Sequence, residues 1–249
     1  MTNFISPLDS QRFGYTIAKV NEASHFQKKD FLPSLKEQGV QLIISRINSE
    51  HIHDINLLED IGFRVKDMQV TYSFDLIRQQ IPPANTDPAI LLREAGENDI
   101  PALSVIARES FNNYGHYFAN DRLDKARCRE IYPDWLSRSI LDRQVADKVF
   151  LGEYNGQPAG FLSFKIYETN GSKYAAGVQG AVAQHFRGKN IFSALTLKGL
   201  LWGREAGLSS EEHNVHTVNY PVNRVFSKSG FAPTRAFTTL HYWTDGPSV

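Results

Sequence analysis

The chain has 249 residues and a mass of 28.2 kDa, and Lys+Arg and Asp+Glu both number 27, so its formal charge is zero and its pI about 7.1. Balanced charge gives no global field towards nucleic acid or an anionic membrane, and no stretch reaches the roughly 18 apolar residues that a membrane helix needs. The single cysteine, Cys128, has no second thiol for an intramolecular disulfide or a zinc cluster, and MTNFISPLDSQRFG has no apolar leader segment, so a protein of the reducing cytoplasm is expected.

In the first third of the chain, GYTIAKV and VQLIISRIN read as strands because they are β-branched and bounded by turn residues. DFLPSLKEQG and HIHDINLLEDIGF read as short helices stopped at Gly39 and Gly62, and MQVTYSFDL alternates as a further strand. Between Ile77 and Ile90, RQQIPPANTDPA holds three prolines, which remove backbone donors and disfavour both helix and sheet. Residues 77–90 are therefore expected to link a first domain, 1–76, to a second, 91–249. The second portion runs strand ILLREA, helices DIPALSVIARESF and LDKARCREIYPDWLSRSIL, strand KVFLGEY, an Asn155-Gly156 hairpin turn, and strands PAGFLSFKIY and AAGVQGAVA. It ends with a long helix, IFSALTLKGLLWGREAG, strand HNVHTVN, helix PVNRVFSKSGF and strand TRAFTTLHYW, giving β-α-α-β-β-β-α-β-α-β. A weak internal echo relates Leu57–Phe63 to Val225–Phe231, as if the first portion were a truncated copy of the second without a phosphate loop.

The stretch richest in chemistry is Val182 to Leu195, a strand end that passes through a short polar loop into a long amphipathic helix. A helix N-terminus leaves backbone N–H groups unpaired and carries about half a positive charge, so it can hold a pyrophosphate. Arg187 and Lys189 add charge there, and Gly188 allows close backbone approach. The alternative is a plain strand-to-helix turn with solvated basic residues. This run resembles the acetyl-CoA motif of the GNAT N-acetyltransferases, Q/R-x-x-G-x-G/A, starting at Arg187, and the family's preceding splayed strand matches VQGAVA. Asn190 and Phe192 stand where the family has Gly and Gly or Ala. Asn219 through Phe231 is similar to the family's Asn, helix and Gly-Phe ending.

The resemblance implies a mixed α/β (α+β) GNAT acyl-CoA N-acyltransferase fold over residues 91–243, preceded by a smaller, incomplete GNAT-like α/β domain. It further implies acetyl-CoA as cosubstrate, held by Ala181, Val182, Arg187, Gly188, Lys189, Asn190, Ile191, Phe192 and Ser193, with Asn219 and Phe226 beside it. The N–H of Ala181 or Val182 would serve the oxyanion. Asn219 either reaches the cofactor or caps the following helix. Phe226 occupies the position at which many relatives carry the Tyr that protonates the CoA thiolate, which leaves Tyr220, water or no protein acid. No carboxylate on AAGVQGAVA offers a base, and Gln179 is its polar side chain.

The two-part layout, opening PLDSQRFGYTIAKV and continuing with HYFANDRLDKARCREIYPDWLSRSI, resembles the TDP-fucosamine acetyltransferase type. That likeness implies a nucleotide-linked amino-deoxy sugar as the amine acceptor. Another small amine or a peptide, or a GNAT-derived module that binds without turnover, remains open. His116 and Tyr117 are candidates to hydrogen-bond or stack on the sugar, Arg122 to pair with its phosphate, and Asp121 and Gln179 to line the acceptor side. Alternatively, Asp121 and Asp124 cap the next helix above packed aromatics. His213 and His216, and His51 and His53, lack a third ligand at a recognisable spacing, so no metal is expected. Pairing of exposed strands points to a homodimer as one assembly open to the chain.

Overall fold

A computed structural model describes residues 4–83 and 87–246. The elements in chain order are α1 (Pro7–Phe13), β1 (Ile17–Lys19), α2 (Phe31–Glu37), β2 (Leu42–Asn48), α3 (Ile52–Ile61), β3 (Arg64–Asp75), β4 (Ile90–Glu94), α4 (Ile100–Ser110), α5 (Gly115–Phe118) and α6 (Lys125–Leu141). They continue with β5 (Lys148–Tyr154), β6 (Gln157–Thr169), β7 (Ser172–Val182), α7 (Ile191–Glu205), β8 (Ser210–His216), α8 (Tyr220–Lys228) and β9 (Ala232–Trp243). Every strand and helix expected from the sequence is present, and two short helices, α1 and α5, are additional. Pro7 starts α1 with its φ already helical, and Gly14 ends it at φ 73°. β8 begins three residues before the expected strand, because Glu211 is drawn into the interior by a partner described below.

The described residues form two compact units. Unit 1 comprises those within 1–70, 113–128 and 235–249, and unit 2 those within 71–112 and 129–234. This division does not follow the sequence boundary expected at 77–90. The physical reason is strand pairing: β2 runs antiparallel to the last strand, β9, over the whole stretch from Leu42↔Trp243 to Asn48↔Phe237, which ties the C-terminal strand to the N-terminal portion.

In unit 1, β1 pairs in parallel with β2, and β2 pairs with β9. Side chains alternate across this sheet. Ile43, Ile47 and Leu240 face an apolar core with Phe26, Leu35, Ile55, Leu58 and Phe63. The intervening positions put Lys19, Arg46, Thr239 and His241 on the opposite face, among the apolar Ile17, Leu42, Ile44 and Trp243.

In unit 2 the order is β8-β7-β6-β5-β4, antiparallel except for the parallel pair β7 and β8. Leu103, Ile106, Ala107, Leu136, Val149, Leu151, Phe161 and Ala181 form one core cluster between α4, α6 and the sheet. Helix α7 covers the sheet at close range: a Cβ on Gly199 would stand 2.3 Å from the Phe164 ring, and one on Gly152 would stand 2.9 Å from Ile191. Among the described residues no helix is long and apolar enough to cross a membrane, and no group of three His, Cys, Asp or Glu side chains is placed to hold a metal.

Candidate active site

β7 and β8 pair only from Tyr174↔Ser210 to Gly177↔His213, although β7 runs on to Val182 and β8 to His216. Past that last pair the two strands fork, and the β8-facing backbone of β7 carries no ladder to its neighbour. The fork begins where β7 bulges against β6: Ser163 pairs with Gln179 and Phe164 with Gly177, so Val178 is the extra residue. The bulge leaves Val178 without a register partner on β6. Beside it the Ser163 hydroxyl joins the Ser163–Gln179 pair, accepting the Gln179 N–H at 3.1 Å and donating to the Gln179 carbonyl at 3.0 Å. The Gln179 side chain is buried, donates from Nε2 to the Tyr132 carbonyl at 3.1 Å, and keeps Oε1 without a partner among the described residues.

The imidazole of His213 sits at the vertex of the fork. A Cβ on Gly177 would lie 2.0 Å from His213 Nδ1, so only glycine fits there. His213 Nε2 meets Glu211 Oε1 at 2.7 Å, and the ring stacks on Phe226 with centroids 4.3 Å apart. Glu211 is fully buried, and burial pushes its carboxyl above the ordinary value, with His213 offsetting part of that rise. Sequence reasoning placed His213 on the surface or in packing; it is buried, and the Glu-x-His spacing on one strand face was the available signal.

From the end of β7 the chain makes a short 3-10 turn, Gln184–Phe186, and enters α7. Gly188 has φ 80° and Asn190, the residue before the helix, φ 60°, so two left-handed residues reverse the chain within the turn. The N–H groups from Gly188 to Ser193 donate to no backbone carbonyl among the described residues, and the Asn190 side chain does not cap them. The first intrahelical bond is Ala194 N–H to the Asn190 carbonyl at 2.9 Å. Arg187, Gly188, Lys189 and Asn190 are exposed, and a Cβ on Gly188 would meet nothing within 4 Å. The row of free donors is therefore open at its mouth. The Phe192 ring is turned onto Gly180 of β7 and packs edge-on to Phe226 at 5.8 Å.

After β8, Asn219 caps α8, accepting the Val222 N–H at 3.5 Å, the second of the two roles open to it in the sequence. Asn223, which sequence reasoning passed over, donates to the carbonyls of His216, Thr217 and Asn219 and holds this corner. Tyr220 is 69% exposed at the start of α8, while Phe226 is buried. Ala181, Val182, Gln179, the turn and Asn219–Phe226 all belong to unit 2.

His116, Tyr117, Asp121 and Arg122 belong to unit 1. Tyr117 donates to Asp9 at 2.9 Å, and Arg122 makes a two-pronged ion pair with Asp245 while lying 3.9 Å above the Trp243 ring. Asp121 is exposed beside Lys125 at 3.8 Å, and it is Asp124 that accepts the Ala126 and Arg127 N–H groups at the start of α6.

Residues 111–231 match the family model of the acetyltransferase (GNAT) family. That stretch of the chain is similar to the GNAT acetyltransferases. Solved structures extend the likeness over both units. A tandem GNAT protein from the clavulanic acid biosynthesis pathway is 14% identical with a TM-score of 0.64, covering 95% of this chain and 77% of its own. A GCN5-related N-acetyltransferase from Kribbella flavida is 11% identical with a TM-score of 0.63, covering 94% and 82%. Another from Sphaerobacter thermophilus is 17% identical with a TM-score of 0.58; the match covers 84% of this chain and 61% of that protein's length. These identities carry the fold alone. No curated protein matches the sequence. The GNAT fold expected from the Arg187 and Asn219 motifs is thus the fold the chain has, and the tandem relative fits a two-part GNAT arrangement.

Proposed function

We propose that the protein transfers the acetyl group of acetyl-CoA to an amine, with a nucleotide-linked amino-deoxy sugar, TDP-linked by preference, as acceptor. The observation that carries this reading is the fork between β7 and β8 together with the unpartnered N–H groups of Gly188–Ser193 where β7 hands over to α7. A diphosphate suits those donors, with Arg187 and Lys189 adding charge. The pantetheine arm suits the unladdered edge of β7 between Val178 and Val182, where its amides find the strand's free backbone groups. The N–H of Ala181 or Val182 is then the donor for the thioester oxygen, fixed in place before the substrate arrives.

When bound, acetyl-CoA supplies an activated acyl carbon that a neutral amine attacks directly, forming the amide bond as the carbon–sulfur bond breaks and giving up the amine's proton to water. Phe226 has no proton to give, so the thiolate takes its proton from water or from Tyr220, which is exposed at the start of α8. An amino-sugar amine has a pKa low enough to arrive partly neutral, which fits a β7 without a carboxylate. The acceptor class rests on the sequence likeness to the TDP-fucosamine acetyltransferase type.

A CoA-release assay across TDP-, UDP- and GDP-linked amino sugars and a peptide with a free N-terminus tests it. The expected order places the TDP-linked 4-amino sugar first. Turnover of the peptide alone would move the acceptor to another class, and acetyl-CoA binding without release from any amine would make this a binding module.

A further inference from the structure

On the face of the unit 1 sheet that carries Lys19, Arg46 and His241, most polar groups are satisfied by one another. Lys19 is ion-paired with the buried Asp9. His241 meets the His116 imidazole and the Asn120 amide, each at 2.8 Å, and Trp243 Nε1 donates to Asn120 Oδ1 at 3.3 Å. Arg46 differs. Its Nε donates to Thr239 at 3.2 Å, but its two terminal nitrogens meet no acceptor among the described residues, although the residue is half-buried. Arg46 lines a cavity of about 520 Å³, a size usual for small-molecule sites. The cavity lies at the carboxyl end of the parallel strands β1 and β2, the end at which α/β sheets take ligands. The ladder between them stops at Lys19↔Ile44 while β2 runs on to Asn48, and the Asn21 side chain continues in place of β1, accepting the Arg46 backbone N–H at 3.0 Å. Asn48 Oδ1 accepts the Glu50 N–H at 3.1 Å. With both amide oxygens in use, Asn21 and Asn48 present NH2 groups that have no partner among the described residues, in the lining of the same cavity. Glu22 and Asp54 line it too, and they meet only the imidazoles of His25 and His51, at 3.4 and 3.7 Å. Phe237, which pairs with Asn48 across β2 and β9, and Ala23 give it an apolar wall. All of these residues belong to unit 1.

We propose that this cavity binds a free α-amino acid with an apolar side chain, its carboxylate in the fork of Arg46 and its ammonium group at Glu22 and Asp54. The proposal concerns unit 1 and does not rest on the transferase reading, whose acetyl-CoA residues lie in unit 2. A planar guanidinium with two unused N–H edges matches a carboxylate by two parallel hydrogen bonds, and the NH2 groups of Asn21 and Asn48 add uncharged donors to the same lining. A phosphate dianion would bring its second charge towards two carboxylates with one guanidinium to answer it. A plain amine would leave the charge of Arg46 unanswered. A molecule that carries both charges on one carbon answers both sets. The apolar side chain then falls to the wall formed by Phe237 and Ala23.

The test is calorimetric titration of the full chain with L-leucine and L-phenylalanine, with 3-phenylpropanoate, which lacks the ammonium group, with 2-phenylethylamine, which lacks the carboxylate, and with inorganic phosphate. Saturable binding of at least one of the two amino acids is expected, with L-phenylalanine about tenfold tighter than either single-charge analogue. Arg46→Gln should weaken the amino acid about tenfold with the fold retained by circular dichroism. Glu22→Gln combined with Asp54→Asn, where the side chains are open to solvent, should leave 3-phenylpropanoate binding in place and remove the advantage of L-phenylalanine over it. That second variant decides the matter should Arg46→Gln fail to fold. No saturable binding of either amino acid, 3-phenylpropanoate or phosphate bound as tightly as L-phenylalanine, or an unchanged affinity in Arg46→Gln would overturn the proposal.

Discussion

Phe226 lies over the His213 imidazole, and His213 in turn meets the buried Glu211, so a carbon ring seals a polar pair at the vertex of the fork. A phenol at that position would carry a hydroxyl; the phenyl ring carries packing instead, with Phe231 and Tyr72 at 5.1 and 5.8 Å. The two buried titrating systems pull stability in opposite directions. Glu211 is raised above its ordinary value, so its contribution is fullest below the unfolded pKa and is lost as pH rises through the folded one. His116 is lowered to about 3, so between roughly pH 6.5 and 3 the unfolded chain binds a proton that the folded chain refuses; His241, lowered well below its ordinary value, adds to the same fall of stability as pH falls. Urea unfolding across that range should show the fall in the wild type and a shallower fall in His116→Phe, which shares Glu211 but has one imidazole fewer. Identical slopes would contradict the burial of a neutral ring. Apart from the Glu-x-His spacing, these partners were not legible in the sequence: Asn120, His241 and Trp243 are brought together by the pairing of β9, and a single His on a strand reads the same whether it is solvated or wired.

The elements around the fork divide into those set locally and those set by neighbours. The entry into α7 is local: a basic, Gly-containing turn before an amphipathic helix reads directly as a phosphate-type N-terminus, and the structure leaves its N–H groups without backbone acceptors. Asn190 belongs to the same local logic. It takes φ 60°, a conformation that Asn tolerates and a β-branched residue resists at a cost of about 1–3 kcal/mol. Asn190→Val should therefore lower urea stability by an amount in that range and weaken acetyl-CoA, whereas Asn190→Gly should retain both. Equal behaviour of the two variants would remove the turn's geometry from the account. The bulge at Val178 is different in kind. Beside it Ser163, on the adjacent strand, holds the backbone of Gln179 through its hydroxyl, and no pattern within AAGVQGAVA announces the bulge.

At the scale of the molecule, the two-part organisation was legible but its seam was not. The prolines between Ile77 and Ile90 mark a break in composition, yet β9 returns to β2, so unit 1 is assembled from stretches that are far apart in sequence. Long-range strand pairing of this kind is decided by complementary edges and burial. The catalytic proposal lives entirely in unit 2, where fork, turn and α8 corner come together. Its foundation is that the backbone donors of the turn grip the diphosphate of acetyl-CoA. Calorimetric titration of acetyl-CoA into the wild type and Gly188→Glu measures this most directly, because the substitution puts bulk and negative charge at an exposed position beside the donors. A saturable wild-type isotherm and an affinity at least tenfold weaker in Gly188→Glu, with the fold retained by circular dichroism, is the predicted result. Equal affinity in the two proteins would place the cofactor elsewhere and contradict the account.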